Sequence, residues 1–465
     1  MSKSSTIKAL TELVRKQVVQ ITALTVRIEN MELLAVKQQL HIEVLEQELS
    51  FYKNRKNSGN SHMPPSVDLV KRNQSLREKS GKKAGGQQGH EGSTLKFSAT
   101  PDRIIIHSPN YCQHCGDDLE QIVATPLTRR QVIDIPIPAA ICTEHQTFTK
   151  TCSCGHINKG KFPVNVNANV QYGSHIEALT AYLNVRQYMP FGRIQEFYSK
   201  IMGLEISQGG IVGLLQRFTG KALPMYQEIK NRIEKAACLG TDETDAKING
   251  KTHWFWTWQN EALTFIVQSP SRGYKTIQEI FPDGLPDVVL VHDRWAAHFK
   301  CEADHHQVCL AHLFRDLNYI TQVHGSNWAQ SLKLVLKEAI ALNNQPDYNG
   351  LAVSPARSDL ERSLMDLLQH PLPEKDKLAI RLQKKLRKIS HHILCFLHYN
   401  NVPPDNNGSE RAIRTLKVKQ KVSGGFRSID GADGFAVIRS VIDTTIKSKN
   451  DVFHALNLIA NFTAD

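Results

Sequence analysis

Three carboxylates in the second half of the chain stand where hard cations are best held. Asp242 lies in Gly-Thr-Asp-Glu-Thr, Asp293 in Val-Val-Leu-Val-His-Asp-Arg-Trp, and Glu410 in Asp-Asn-Asn-Gly-Ser-Glu-Arg. Asp242 opens a strand-like run, Asp293 ends an apolar run that reads as a buried parallel strand, and Glu410 begins an Arg/Lys-rich helical stretch. Carboxylates converging from strand ends and a helix suit two Mg²⁺ (or Mn²⁺) ions about 4 Å apart, which activate water or a 3′-hydroxyl for phosphodiester displacement. Each acid also has a plainer reading. Asp242 competes with Glu243 and Asp245, Asp293 can be a polar strand end, and Glu410 can be a helix-start carboxylate.

Thiols form a second set. Cys112-Gln-His-Cys115-Gly is followed, after 36 intervening residues, by Cys152-Ser-Cys154-Gly-His. Two thiol pairs at the tips of two turns are the pattern of a zinc ribbon, a closed structural Zn²⁺ site. The second pair is one residue tighter than usual, so His156, Cys142, His114 or His145 stand as alternatives for one ligand. Nine cysteines without a secretory signal argue against a disulfide framework.

The elements that must position the acids read as a mixed sheet. Strand-length runs occur at Ala237 to Ile248, His253 to Trp258, Leu263 to Val267, Val288 to Val291 and Gln307 to Leu310, with a helical stretch from Tyr274 to Phe281. Asn249-Gly250 predicts a tight hairpin between the first two runs. Hairpin-linked strands, a helix and a buried parallel strand describe a ribonuclease-H-like core. Residues 236–312 form its first part, 313–400 a helical insertion, and 401–465 its last part with Glu410 and basic helices.

Upstream the chain changes character several times. Residues 1–53 place apolar side chains at twelve of fourteen a/d-type positions, from Ile7 through Leu24 and Ile28 to Tyr52, interrupted by Gln17 and Gln38, which predicts a coiled coil and self-association. Residues 54–104 read as a flexible basic arm. From Lys53 to Lys83 there are nine Lys/Arg against two acids, with Lys82 and Lys83 as candidate DNA contacts. Residues 105–165 hold the ribbon. Residues 170–235 read as a helical, helix-turn-helix-like domain, with a Ser174-His-Ile-Glu177 capping box and a Ser207 cap on its third helix.

A formal charge of +12 points to a polyanionic partner, double-stranded DNA first among the candidates. From Arg411 to Lys449 nine Lys/Arg face three Asp, and Arg411, Arg414, Lys417, Lys419, Lys421 and Arg427 are the candidate phosphate contacts beside the third acid. No run of about 18 apolar residues occurs, so no membrane partner is expected. The start lacks the apolar core of a secretory signal, which predicts a cytoplasmic protein.

The ordered motifs carry a resemblance. A coiled coil, Gly-Gly-Gln-Gln-Gly-His-Glu-Gly, the Cys-x-x-Cys-Gly ribbon, Gly-Thr-Asp-Glu-Thr, Cys309-Leu-Ala-His312-Leu-Phe-Arg315 and Asn406-Asn-Gly-Ser-Glu-Arg411 together resemble the large transposase of the insertion sequence 66 family, over nearly the whole chain. The resemblance implies that Asp242, Asp293 and Glu410 are a DDE triad binding Mg²⁺, and that Cys112, Cys115, Cys152 and Cys154 are zinc ligands. It implies hydrolysis and strand transfer at terminal inverted repeats, with element ends and target DNA as partners and accessory proteins as further candidates. Family members often carry Asp-Gly-Tyr at the second acid, where this chain has Asp293-Arg294-Trp295. The rival readings are a structure-selective nuclease on the same fold and a non-catalytic zinc-ribbon DNA-binding protein.

Overall fold

The computed structural model describes residues 3–53, 96–123, 128–135 and 138–462. Most of the basic arm, including Lys82 and Lys83, lies outside the described residues. The chain divides into two compact units: one takes the described residues 3–53, Glu144–Gln195 and everything from Ile206 onward, the other the described residues from 96 to 143 with Glu196–Glu205. The residues 105–165 expected to form one ribbon are thus divided between the units, each thiol pair in its own.

The helix α1 (Lys3–Lys53) is unbroken, as expected for a stretch without Pro or Gly. Its apolar residues from Ile7 to Leu49 remain exposed within the single chain. β1 (Thr149–Thr151) and β2 (Ile157–Lys159) form a short antiparallel hairpin whose tip carries Cys152 and Cys154. α2 (Ser174–Ala181), α3 (Phe191–Met202) and α4 (Gln208–Glu234) follow. Ser207 caps α4 through Gly210 N–H at 3.0 Å, as its position predicts. The capping box does not form: Gly173 is the N-cap of α2, and Glu177 turns inward to Lys221 at 3.1 Å. α4 sends Ile211, Leu214, Phe218, Ala222, Ile229 and Ile233 into the core, so one face of this helix packs.

The sheet contains β3 (Cys238–Ile248), β4 (Lys251–Gln259), β5 (Thr264–Ser269), β6 (Leu285–His292) and β7 (Ala303–Val308), in the order β5-β4-β3-β6-β7, with α5 (Tyr274–Ile280) between β5 and β6. The first three strands in sequence pair antiparallel, and β6 and β7 pair parallel. Asn249 and Gly250 have φ of 48° and 74°, the two left-handed residues of a twist-matched hairpin turn. The run expected as a strand to Leu310 ends at Val308, because Leu310 N–H turns away to bond Pro404 O at 2.9 Å and starts the next helix.

The remaining helices are α6 (Leu310–His324), α7 (Asn327–Asn343), α8 (Pro355–Gln369), α9 (Lys377–Arg387), α10 (Asn407–Ser423), α11 (Ile429–Lys447) and α12 (Val452–Ala460). Helices cover both faces of the sheet. Val288 and Leu290 of β6 join a core with α2, α4, α11 and α12, while Val289 and Val291 join one with α6 to α9. Burial on both faces explains why β6 reads as a continuous apolar run instead of an alternating one.

α10 is fixed on β3 at both ends. At its start Asn406 Nδ2 donates to Thr241 O at 2.7 Å. Beyond its C-terminal Gly424, Phe426 pairs with the β3 hairpin, its N–H donating to Lys247 O at 2.8 Å and its carbonyl accepting from Asn249 N–H at 2.9 Å. The start of the helix approaches so closely that a Cβ on Gly240 would stand 2.6 Å from Ser409 Oγ and 2.7 Å from Asn406 Oδ1. Gly240→Ala is therefore expected to destabilise the protein by about 1–3 kcal/mol. Hydrogen exchange of the α10 amides checks it: exchange should accelerate in the first turn, and an unchanged profile and melting temperature would refute the contact.

Candidate active site

Strand pairing brings the first two acids together. β3 and β6 pair in parallel through Cys238↔Val289, Leu239↔Leu290 and Gly240↔Val291. Two residues further along each chain are Asp242 and Asp293, at the same level beside one another. The sequence places Asp242 at the opening of a strand; it lies inside β3, where β4 still pairs with it through Thr257. Burial, then the negative charges of Glu243 and Asp293, push the Asp242 carboxyl up to about 8. A carboxyl raised this way is one that a bound cation would return to its charged form.

Asp293 is held in a closed ring of contacts. Its Oδ1 accepts from the backbone N–H of Trp295 at 2.9 Å and lies 3.4 Å from His298 Nδ1. The other His298 nitrogen is 3.2 Å from Glu243 Oε2, and Glu243 Oε1 takes both Arg272 Nη2 at 2.6 Å and Nε at 2.7 Å. Arg272 in turn lies over the Trp295 ring, 4.2 Å from its centroid, and over Trp254 at 4.9 Å. Burial alone would raise the Asp293 carboxyl, but the His298 imidazole and the Trp295 N–H hold it well below the usual range. Burial likewise opposes charge on His298, yet Asp293 and Glu243 lift it to about 9. His298 thus sits between two carboxylates that both favour its charged form.

Glu410 arrives from the first turn of α10, four residues after the bond that ties that helix to Thr241. Its carboxylate faces α6: Oε1 is 3.7 Å from Arg315 Nη2 and 3.9 Å from His312 Nε2, and Oε2 is 3.9 Å from Arg414 Nη2. Oε1 is buried and makes no hydrogen bond. His312 and Arg315 belong to the Cys309-to-Arg315 motif, whose chemistry is not evident from sequence; the structure sets them against the third acid.

A single spacing sorts the basic residues of α10. Glu410, Arg414, Lys417 and Lys421 follow at i, i+4, i+7 and i+11, one stripe of the helix. Arg414 and Lys421 are exposed, as are Arg411 and Arg427, while Lys417 pairs with Asp245 at 2.7 Å. Lys419 departs from its expected role as a DNA contact. It falls on the opposite, apolar side with Ala412 and Leu416, is buried, lies 3.3 Å from Asn184 O, and burial brings its pKa down to about 8. A wide cleft of 1140 Å³ opens along a third stripe through Asn407, Arg411 and Thr415, bounded by Gln259 and Lys447; none of the three acids lines it.

The chain matches the family model described as Transposase IS66 family over residues 169–434, more than half its length. It belongs to that family. No curated protein matches it. Membership carries a transposase role, and with it DNA binding, nuclease or transferase chemistry and a divalent metal ion. Among the described residues of this transposase, His292, Asp293 and His298 are the group whose donor atoms all lie within 4.8 Å. Both ring nitrogens of His292 are engaged, with Asp293 O and with His306 Nδ1 at 3.0 Å, and both of His298 face carboxylates, which makes an all-oxygen site the better fit. Asp242, Asp293 and Glu410 do not form so tight a trio, since Asp293 leans to His298 and Glu410 to α6. They nevertheless fit a divalent ion: two adjacent carboxyls, one driven up in pKa by burial and by its acidic neighbours, and a buried oxygen without a hydrogen bond.

The thiol pairs each occupy a turn tip. Tyr111 bridges Asp118 across the first, and Thr151 pairs with Ile157 across the second. Backbone N–H groups of Cys115 and His114 lower the Cys112 thiol to about 7, and that of Cys154 lowers Cys152. Such turns favour thiolates, the form that binds zinc.

The raised carboxyl gives a signed pH dependence. Asp242 holds its proton in the folded state up to about 8, above the unfolded carboxyl range, so its burial costs progressively more stability as pH rises from the unfolded value to about 8. In metal-chelated buffer, Asp242→Asn should therefore melt above the parent, by a margin that widens from pH 5 to pH 8. Thermal unfolding at a series of pH values checks this, and parallel curves would refute it.

Proposed function

We propose that this chain is a DDE-type DNA transposase in which Asp242, Asp293 and Glu410 hold two Mg²⁺ or Mn²⁺ ions for phosphodiester hydrolysis and strand transfer at the terminal inverted repeats of its element. The observation that carries the reading is the parallel register of β3 and β6, which sets Asp242 beside Asp293 under a helix that delivers Glu410. The strand order, with a central β3 flanked by a hairpin on one side and parallel strands on the other, supports a ribonuclease-H-like core.

A divalent ion bound by these acids supplies Lewis-acid stabilisation of the phosphoryl oxygens and a more acidic water or 3′-hydroxyl. The chain's own residues do the positioning. His298, fixed between Glu243 and Asp293, sets the orientation of the second acid. His312 and Arg315 limit the swing of Glu410 and balance its charge. Arg414 and Lys421, continuing the Glu410 stripe, lie along a line a phosphate backbone can follow away from the site, joined by Arg411 and Arg427.

The other regions extend the reading. The exposed apolar stripe of α1 supports self-association as a coiled coil, which would hold two element ends in one assembly. Cys112 with Cys115, and Cys152 with Cys154, each sit on a turn tip whose backbone favours thiolates, the form that serves as a zinc ligand. Among the described residues no helix is long and apolar enough to cross a membrane.

Two experiments bear on this. Asp242→Ala, Asp293→Ala and Glu410→Ala should each cut Mg²⁺-dependent cleavage of end DNA by at least about a thousandfold while leaving duplex binding intact, and near-parental cleavage by any one removes that residue from the set. Arg414→Ala with Lys421→Ala should weaken duplex binding and reduce the slope of log affinity against log salt by about 2, whereas Lys419→Met should leave the slope unchanged.

A further inference from the structure

Trp295 is the exposed member of the five tryptophans. Trp256, Trp258 and Trp328 are buried and Trp254 is half-buried, but Trp295 is 39% exposed. A large aromatic surface left in water forfeits part of the stabilisation that burial would give. Here the exposed ring is not loose. Its backbone N–H is bonded to the Asp293 carboxylate, and the Arg272 guanidinium lies over one face, itself fixed by two contacts to Glu243 and backed by Trp254. Arg272 covers one face of the ring, and among the described residues no second side chain is stacked on the opposite face. The preceding Arg294 turns in to pair with Asp316 of α6, so it does not cover the indole.

The geometry points to Trp295 as a stacking platform for an unpaired nucleobase of the DNA strand being cut. This rests on the phosphodiester chemistry proposed for the neighbouring acids. A single residue, Arg294, separates the platform from Asp293, so a strand whose phosphate meets the acid has its adjoining base within reach of the ring. A flat π-face accepts any base, and a cation on the far side draws electron density from the indole and strengthens stacking with purines. A base still paired in a duplex cannot lie on this ring, so the platform selects strand ends or junctions where a base is already free or easily freed. No covalent step is involved; the contribution is binding and alignment.

The test uses the full-length protein, Ca²⁺ in place of Mg²⁺, and a forked duplex with one unpaired 2-aminopurine at the fork, against the same fork with an abasic residue there. The parent should bind the base-bearing fork about tenfold or more tightly than the abasic one and change the 2-aminopurine emission. Trp295→Ala should bind both forks alike, Trp295→Phe should keep most of the preference, and all three should bind fully paired duplex equally, which separates lost stacking from a misfolded site. A parent without preference, or a Trp295→Ala protein that retains it, overturns the platform. Cleavage of end DNA with Mg²⁺, measured alongside, reports on the acids separately. Cleavage without base preference defeats the platform alone, and base preference without cleavage defeats the transposase chemistry alone.

Discussion

Three residue pairs between β3 and β6 set the terms for everything around them. Because Gly240 lies opposite Val291, the next residue pointing the same way on β3 and the second residue beyond the paired stretch of β6 are both aspartates. A slip of one residue would send Asp242 to the other face of the sheet and leave Asp293 without its neighbour. The register is protected by the burial of β6 on both faces, since Val288 and Leu290 are committed to one core and Val289 and Val291 to the other. The fold thus keeps two like charges together by making the alternative cost two cores at once.

That forced proximity is a local disadvantage that the surroundings only partly offset. Asp293 is relieved by His298 and the Trp295 N–H, but Asp242 is left buried among negative charges. The asymmetry is informative. One acid is held in its charged form by a ring that joins it to His298, Glu243, Arg272 and Trp295, and the other gains too little from His298 to offset its burial and its acidic neighbours. Sites that trade stability for function commonly show such a mismatch.

The parts legible in the sequence were those governed by short-range pattern. Asn249-Gly250 announced its hairpin through backbone preference alone, β6 announced its double burial through an unbroken apolar run, and the three acids stood at changes of pattern. What the sequence could not connect depended on contacts across the chain. His298, Glu243, Arg272 and Trp295 come from a loop, a strand and a turn, and no spacing links them; the density of His residues around Asp293 was the available hint. Lys419 was misread because a local excess of charge was counted without its helical phase, which puts it with Leu416. The capping box failed for a similar reason, since Glu177 found a stronger tertiary partner in Lys221 than the helix end could offer. The basic arm around Lys82 and Lys83 lies outside the described residues and is a reading of composition alone.

The two-ended attachment of α10 also constrains how this gene can change over time. Between the Asn406 bond to Thr241 and the Phe426 pairing with the hairpin, the number of residues is a fixed measure, because both anchors are on the same strand. One added or deleted codon in that interval turns the helix by about 100° per residue at one end, so either Glu410 leaves its heading or an anchor lets go. Point substitutions along the outer stripe are cheap by comparison. Divergence in this segment should therefore run through replacements and almost never through length, making α10 a built-in ruler against which related copies can be aligned.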